Sequence, residues 1–374
     1  MRFLHALTAT AALAACGDNV EPIDPEPQPI VLEMQATIPA GTELEYCKFV
    51  EIPDAWVTHD SVEFTGGSHH VLLYQTSYTT IPTAKTDGTP VDTSGVFDCS
   101  DGATNGWSIT KLIGGSQNRE GDALLAFPPG VGIHVGGIAL INVHYINGLD
   151  APLPTDVTIT LDTMREDEVT AEGDILFLYN PLIAIPAGQT ASAHWRCPVY
   201  SDITITNVQS HMHSRGVGYE ARVDDAEPFY VNDRWEGVPV RRYDGFTVKA
   251  GSTLDYHCDY RNTEARSIYQ GPRTTDEMCM LIGSYYPADP RTAACLDATG
   301  KLPGGDWIGQ GTATCQATLG CMQNAGGDFH AITDCMLGAK PEVAHVSSEM
   351  LRCFFGAANP ASECSAQINA CLAQ

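Results

Sequence analysis

Five of the twelve histidines stand in strand-like contexts: His69-His70 in GGSHHVLLY, His144 in IALINVHYIN, and His211 with His213 in VQSHMHSRG. Side chains alternate along a strand, so the H-x-H pair must project from one face, close enough to chelate one metal ion, with Met212 on the other face. Adjacent His69 and His70 should point to opposite sides. Joint ligation by them requires a bulge or a strand end, for which Gly66-Gly67 gives room. Any one histidine alone is more often a half-buried, hydrogen-bonded structural group than a ligand. Imidazole suits zinc, copper and iron, whereas a thioether would select copper, Cu(I) above all. The chain has nine methionines, and since methionine usually fills core gaps, the residues alone do not single one out.

The elements that must hold these histidines read as strands. Alternating apolar and polar residues, frequent Gly and Pro, and β-branched runs such as Ile203-Thr204-Ile205-Thr206 continue to about residue 295 without a long helical period. A weak internal repeat divides this region. IPAGTELEYC (Ile38 to Cys47) and IPAGQTASAHWRC (Ile185 to Cys197) each place a cysteine-bearing strand upstream of a paired-histidine strand. Two similar β-sandwiches in tandem, 30–165 and 166–300, account for it, with the boundary near the acidic stretch Asp162 to Gly173. From about Leu302 the character changes. Six cysteines (Cys315, Cys321, Cys335, Cys353, Cys364, Cys371) lie among Ala-, Gln- and Met-rich runs, which predicts a disulfide-stapled helical appendage over 303–374. Cys364 and Cys371, seven apart, should share a helix face, and Cys315 and Cys321 align less well. Six cysteines allow fifteen pairings, so connectivity stays open.

Composition limits the partners. Among 374 residues, 20 Lys and Arg face 46 Asp and Glu, a formal net charge of −26. Such a surface repels phosphate backbones and excludes nucleic acid as a natural partner. Thirteen cysteines without a CxxC pair favour disulfides over a metal cluster, hence an oxidising compartment. Residues 1–15 read as an export signal, too short to span a bilayer. They end in Leu13-Ala14-Ala15-Cys16-Gly17, which resembles the lipobox of bacterial lipoproteins. Cys16 would carry the lipid, 16–29 would form a proline-punctuated linker, and twelve cysteines would remain for pairing. An ordinary secretory signal is the alternative. The expected location is the bacterial cell envelope or the exterior, with membrane contact only through that anchor.

Four ordered motifs, SHHVLLY, PPGVGIHVGGIALINVHY, HMHSRGVGY and DEMCMLIGSYY (Asp276 to Tyr286), resemble the copper type II, ascorbate-dependent monooxygenases, the group of peptidylglycine α-hydroxylating and dopamine β-monooxygenases. The resemblance implies a mainly β fold of two jelly-roll-like sandwiches, one copper in each, facing across a solvated cleft. It implies His69, His70 and His144 as a three-histidine copper site. It also implies His211, His213 and Met278 as a second site, where O₂ is activated and hydrogen is taken from a substrate C–H bond. The pairs Cys47–Cys99, Cys197–Cys295 and Cys258–Cys279 are implied with it. Where amidating members hold a glycine carboxylate with Arg, Asn and Tyr, this chain has Gln209, Met280 and Ile282. The expected substrate is therefore small or medium and neutral or apolar rather than peptidylglycine. Ser214 replaces a further histidine of animal members, and 303–374 has no counterpart in that core.

The expectation is an exported copper monooxygenase using O₂, two copper ions and an external reductant such as ascorbate. The alternative from another class is a non-catalytic copper-binding or recognition lipoprotein at the cell surface. Zinc hydrolysis is disfavoured, since HExxH is missing and methionine is a poor zinc ligand. His134, His59, His194, His257, His330 and His345 are read as structural, and Tyr285 and Tyr286 as packing under the second site.

Overall fold

A computed structural model describes residues 27–118, 124–296 and 309–374. The export-signal stretch, Cys16 and most of the 16–29 linker lie outside them.

The chain is mainly β. The first half comprises β1 (Ile30–Ile38), β2 (Thr42–Phe64), β3 (Ser68–Thr76), β4 (Phe97–Asp98), β5 (Ile109–Ser116), β6 (Val131–Asn147), β7 (Leu153–Met164) and β8 (Ala171–Glu172). Its main hydrogen-bonded path runs β1-β7-β2-β6-β3-β5. Strands β2 and β6 are 23 and 17 residues long, and register shifts at Ile52/Ala55 and Val57/His59 interrupt the regular pairing of β2. Bulges of this kind let one sheet fold over its own core.

The second half comprises β9 (Asp174–Tyr179), β10 (Ala184–Ile185), β11 (Thr190–Pro198), β12 (Ile203–His211), β13 (Gly216–Val223), β14 (Tyr230–Asn232), β15 (Arg241–Val248), β16 (Thr253–Arg261), β17 (Ile268–Tyr269) and β18 (Met280–Tyr286). Two four-stranded sheets, β11-β16-β13-β14 and β15-β12-β18-β9, enclose its core. In the second of these, β9, β12 and β18 are largely buried on both faces, while β15 is mostly exposed. Leu176, Leu178 and Leu281 point into the second core, whereas Ile175, Met280 and Ile282, with Phe177 and Tyr179 beside them, pack into the first. The period-2 alternation of strands makes this division possible, and a sheet covered on both sides needs the near-continuous apolar run that Met280–Ile282 opens.

The repeated Ile-Pro-Ala-Gly turns are held alike. Gly41 and Gly188 both adopt positive φ (64° and 67°). Asn147 Nδ2 donates to the carbonyls of Ile38, Pro39 and Ala151, and Asn262 Nδ2 donates to those of Ile185, Pro186 and Arg266. Each asparagine Oδ1 then accepts a backbone N–H two residues on, from Leu149 and Glu264. The weak sequence repeat is thus matched by the same buried clasp in both halves.

After α1 (Pro290–Ala293) the described chain resumes as α2 (Cys315–Asn324), α3 (Phe329–Leu337), α4 (Pro341–Gly356), α5 (Pro360–Glu363) and α6 (Ser365–Leu372). Cys315 pairs with Cys371, Cys321 with Cys335 and Cys353 with Cys364. Cys364 stands at the N-cap of α6, and both it and Cys371 are fully buried. Met322, Met336, Met350 and Leu351 join the second core, and Tyr269 stacks on His330 at 4.1 Å. The helices form the expected disulfide-stapled appendage, packed as an outer layer on the second half.

Candidate metal centre

Strand β3 begins with a register shift between Ser68 and His70 against β6. Gly67 precedes it at φ 95°, a conformation that favours glycine. The irregularity cancels the alternation that would separate neighbours, and His69 Nδ1 lies 3.2 Å from His70 Nδ1. His144 stands opposite His70 in the β3–β6 ladder. One ring nitrogen from each of His69, His70 and His144 lies within 4.8 Å of the others.

His211 closes β12, and its ring centroid is 5.3 Å from that of His213 just beyond. Met212 turns the other way into the second core. Gln209 and His211 pair with Ile282 and Met280 on β18, on the face turned to the first half. Met278 precedes β18 and borders the same cavity as His70 and His211. The bridge Cys258–Cys279 secures the residue after it, while Cys197–Cys295 and Cys47–Cys99 close longer loops in the second and first halves.

The two histidine sets meet in one buried cluster instead of facing across open water: His70 to His211 is 5.9 Å between centroids, and His69 to His213 is 6.1 Å. Two loop contacts draw the halves together. Gln117, after β5, accepts from His211 Nδ1 at 2.9 Å and donates to Gln209 Oε1 and the Ser210 carbonyl, both at 2.7 Å. Glu43 on β2 accepts from His144 Nε2 at 3.0 Å and from the backbone and hydroxyl of Thr274, both at 2.7 Å. A second acid, Glu277, accepts from the backbone N–H groups of His213, Arg215 and Met278. It thereby fastens the H-x-H turn to the methionine. Burial pushes the Glu277 carboxyl up to about 7, against the pull of those N–H groups and of Arg215. Neither Gln117 nor Glu43 carries a sequence signature, because each acts from a loop or strand that only folding brings near, whereas Glu277 stands in the DEMCMLIGSYY motif beside Met278.

These partners fix tautomers. Carboxylate, amide oxygen and carbonyl only accept, so His144 holds its proton on Nε2, and His211 and His213 hold theirs on Nδ1, the latter facing the Asp276 carbonyl at 3.0 Å. The remaining nitrogens, His144 Nδ1 and His213 Nε2, are buried without a hydrogen-bond partner among the described residues. Burial, then mutual repulsion among the rings, lowers His69 to about 4 and holds His70 and His211 well below the usual value; burial lowers His213 to about 4. Neutral imidazoles with unpaired nitrogens turned inward are what a metal ion requires.

The other histidines are engaged elsewhere. His134 pairs with Asp54 at 3.0 Å, His194 with Asp255, and His257 lies near Glu220. Buried Tyr285 donates to the Asp289 carbonyl at 2.7 Å.

Residues 173–301 match the family model described as copper type II ascorbate-dependent monooxygenase, C-terminal domain. That segment holds His211, His213 and Met278, and the match bears out the resemblance read from the motifs. No curated protein matches the chain. The match and the donor set are consistent with a copper monooxygenase, and the six disulfides with an exported protein. No helix among the described residues is long and apolar enough to cross a membrane.

Proposed function

We propose that the protein is a copper-dependent monooxygenase that hydroxylates a C–H bond of a small or medium substrate with a largely apolar body. His69, His70 and His144 would hold one copper ion, and His211, His213 and Met278 a second. The observation that carries this reading is the meeting of five histidines, two with buried unpartnered nitrogens among the described residues, beside Met278. A thioether next to imidazoles favours copper over zinc. Bound copper supplies the activation of O₂ and passes on the electrons that hydroxylation consumes. The overall balance is R–H + O₂ + 2e⁻ + 2H⁺ → R–OH + H₂O, with an external one-electron donor such as ascorbate as reductant.

The chain's own residues orient and enclose. Glu43, Gln117 and the Asp276 carbonyl each hold a proton on the far ring nitrogen, aiming the other inward. Phe177, Met280, Ile282 and Leu124 give an adjoining cavity of about 420 Å³ an apolar wall. Neither Lys nor Arg lines that cavity among the described residues, which leaves no cation to pair with a substrate carboxylate and argues against peptidylglycine. Cys16 would anchor the mature chain to the bacterial envelope through lipid.

Metal analysis and copper X-ray absorption on the reduced protein test the reading. Two coppers per chain, with a sulfur scatterer lost in Met278→Ala and retained in His69→Ala, are expected. One copper, zinc, or no sulfur ligand would overturn it. Product formation coupled to O₂ and ascorbate then separates the enzyme from a copper-binding recognition protein.

A further inference from the structure

A second cavity, of about 570 Å³, opens on the first half and is lined by Trp56, His134, Asp54, Met164 and Arg165 among others. It shares no residue with the cavity beside the histidine cluster. His134 lies ten residues before His144 on β6, about 33 Å of strand. The floor of the cavity is one rung of the sheet: Trp56 on β2 stands opposite His134 on β6 and opposite Met164 on β7. The neighbours Val57, Ile133 and Val135 point into the first core, so the rung faces outward. The rings of Trp56 and His134 meet at 4.9 Å between centroids.

Two glycines on β6, one on each side of His134, let the walls close in. A Cβ at Gly132 would stand 3.3 Å from Met164 Sδ, and one at Gly136 2.9 Å from Asp54 Oδ1. The register shift between Ile52 and Ala55 takes Asp54 out of the ladder and sets it over Gly136, with its carboxylate 3.0 Å from His134 Nε2. Bulges that re-aim a side chain in this way concentrate beside functional sites. Both Asp54 and His134 remain open to solvent.

The lining restricts the ligand. Asp54, Glu166 and Glu172 repel anions, as does the net charge of −26. A cation would face Arg165 on the same wall. Around the indole stand groups that only accept, the carboxylates; one that only donates, Arg165; and two that can do either, His134 and Gln28. Hydroxyl groups suit such a wall because each donates and accepts, and a pyranose ring adds an apolar C–H face that packs on an indole.

We propose that this cavity is a saccharide-binding site, in which Trp56 is the platform for a pyranose ring and Asp54, His134 and Arg165 hold its hydroxyls. The site goes beyond the monooxygenase reading and does not depend on it. Its volume lies within the usual range of ligand cavities and admits roughly one or two sugar rings.

The test is calorimetric titration of the full chain with cellobiose, maltose and N,N′-diacetylchitobiose, each up to about 10 mM, and with choline as the cationic alternative. At least one disaccharide should bind with a Kd of about 1 mM or tighter. Trp56→Ala should weaken that binding at least about tenfold, whereas Trp56→Phe, which keeps an aromatic platform, should stay within about threefold. Asp54→Ala, on the exposed rim, carries the test even where Trp56→Ala fails to fold, and it should weaken binding about fivefold or more. No binding of any of the three disaccharides, binding that survives both Trp56→Ala and Asp54→Ala, or a Trp56-dependent preference for choline would overturn the proposal.

Discussion

Three of the five clustered histidines have one ring nitrogen assigned to a protein acceptor, and the acceptor for His211 comes from the other half of the molecule. Gln117→Leu should therefore loosen the second site alone. On the proposed assignment, metal titration should show about a 10- to 100-fold loss of affinity for one ion and none for the other. Equal loss at both would mean that Gln117 merely supports the fold. Asp60 provides a pH test away from the cluster. It is fully buried, accepts from the backbone of Gly115 and Leu125, and burial raises it to about 7 from an unfolded value near 3.8. The folded state thus keeps a proton that the unfolded state has released between these values, and the stability Asp60 contributes declines as pH rises from about 4 to 7. In denaturant titrations, wild type should lose about 2 kcal/mol relative to Asp60→Asn over that range. An unchanged difference would show that the carboxylate is ionised throughout. The sequence made the histidines legible because strand periodicity and H-x-H spacing are local. Met278 became visible only through the resemblance, and Gln117 and Glu43 not at all, since a single polar residue in a β region has no pattern of its own.

Elements place these residues through deviations from regularity. The start of β3 brings His69 and His70 together by slipping register, and Gly67 makes the slip possible. A Cβ at Gly67 would stand 2.4 Å from Leu153 Cδ2, at a φ that L residues rarely adopt, whereas Gly41, also left-handed, has nothing within 4 Å. Gly67→Ala should cost about 2–3 kcal/mol and Gly41→Ala about 1 kcal/mol, measured by urea unfolding. Equal costs would remove the steric argument. Only the first variant should also weaken metal binding. The need for a bulge at His69-His70 was readable, because adjacent ligands cannot share a regular strand face. The pairing of the last six cysteines was not: Cys364 bonds to Cys353 on α4 and Cys371 to Cys315 on α2, partners that only the packing of the helices selects. Nor did the weak Ile-Pro-Ala-Gly repeat reveal the asparagines, Asn147 and Asn262, that clasp both turns from far along the chain.

At the scale of the molecule, the two halves share a wall. Met280 and Ile282 on β18, with Ile175 on β9, belong to the first core although their strands belong to the second sandwich. Residues 173–301 expressed alone should be insoluble or oligomeric by size-exclusion chromatography, since that face would be bare. A soluble monomer would show that the interface is dispensable. A wall shared by two interiors also governs how the molecule melts. Neither half can unfold without stripping the other's packing, so the usual expectation for tandem sandwiches, two separate heat-absorption peaks, should fail. Differential scanning calorimetry should instead record one transition, with calorimetric and van't Hoff enthalpies in agreement. Heat would then not yield a population in which one histidine set is intact and the other lost.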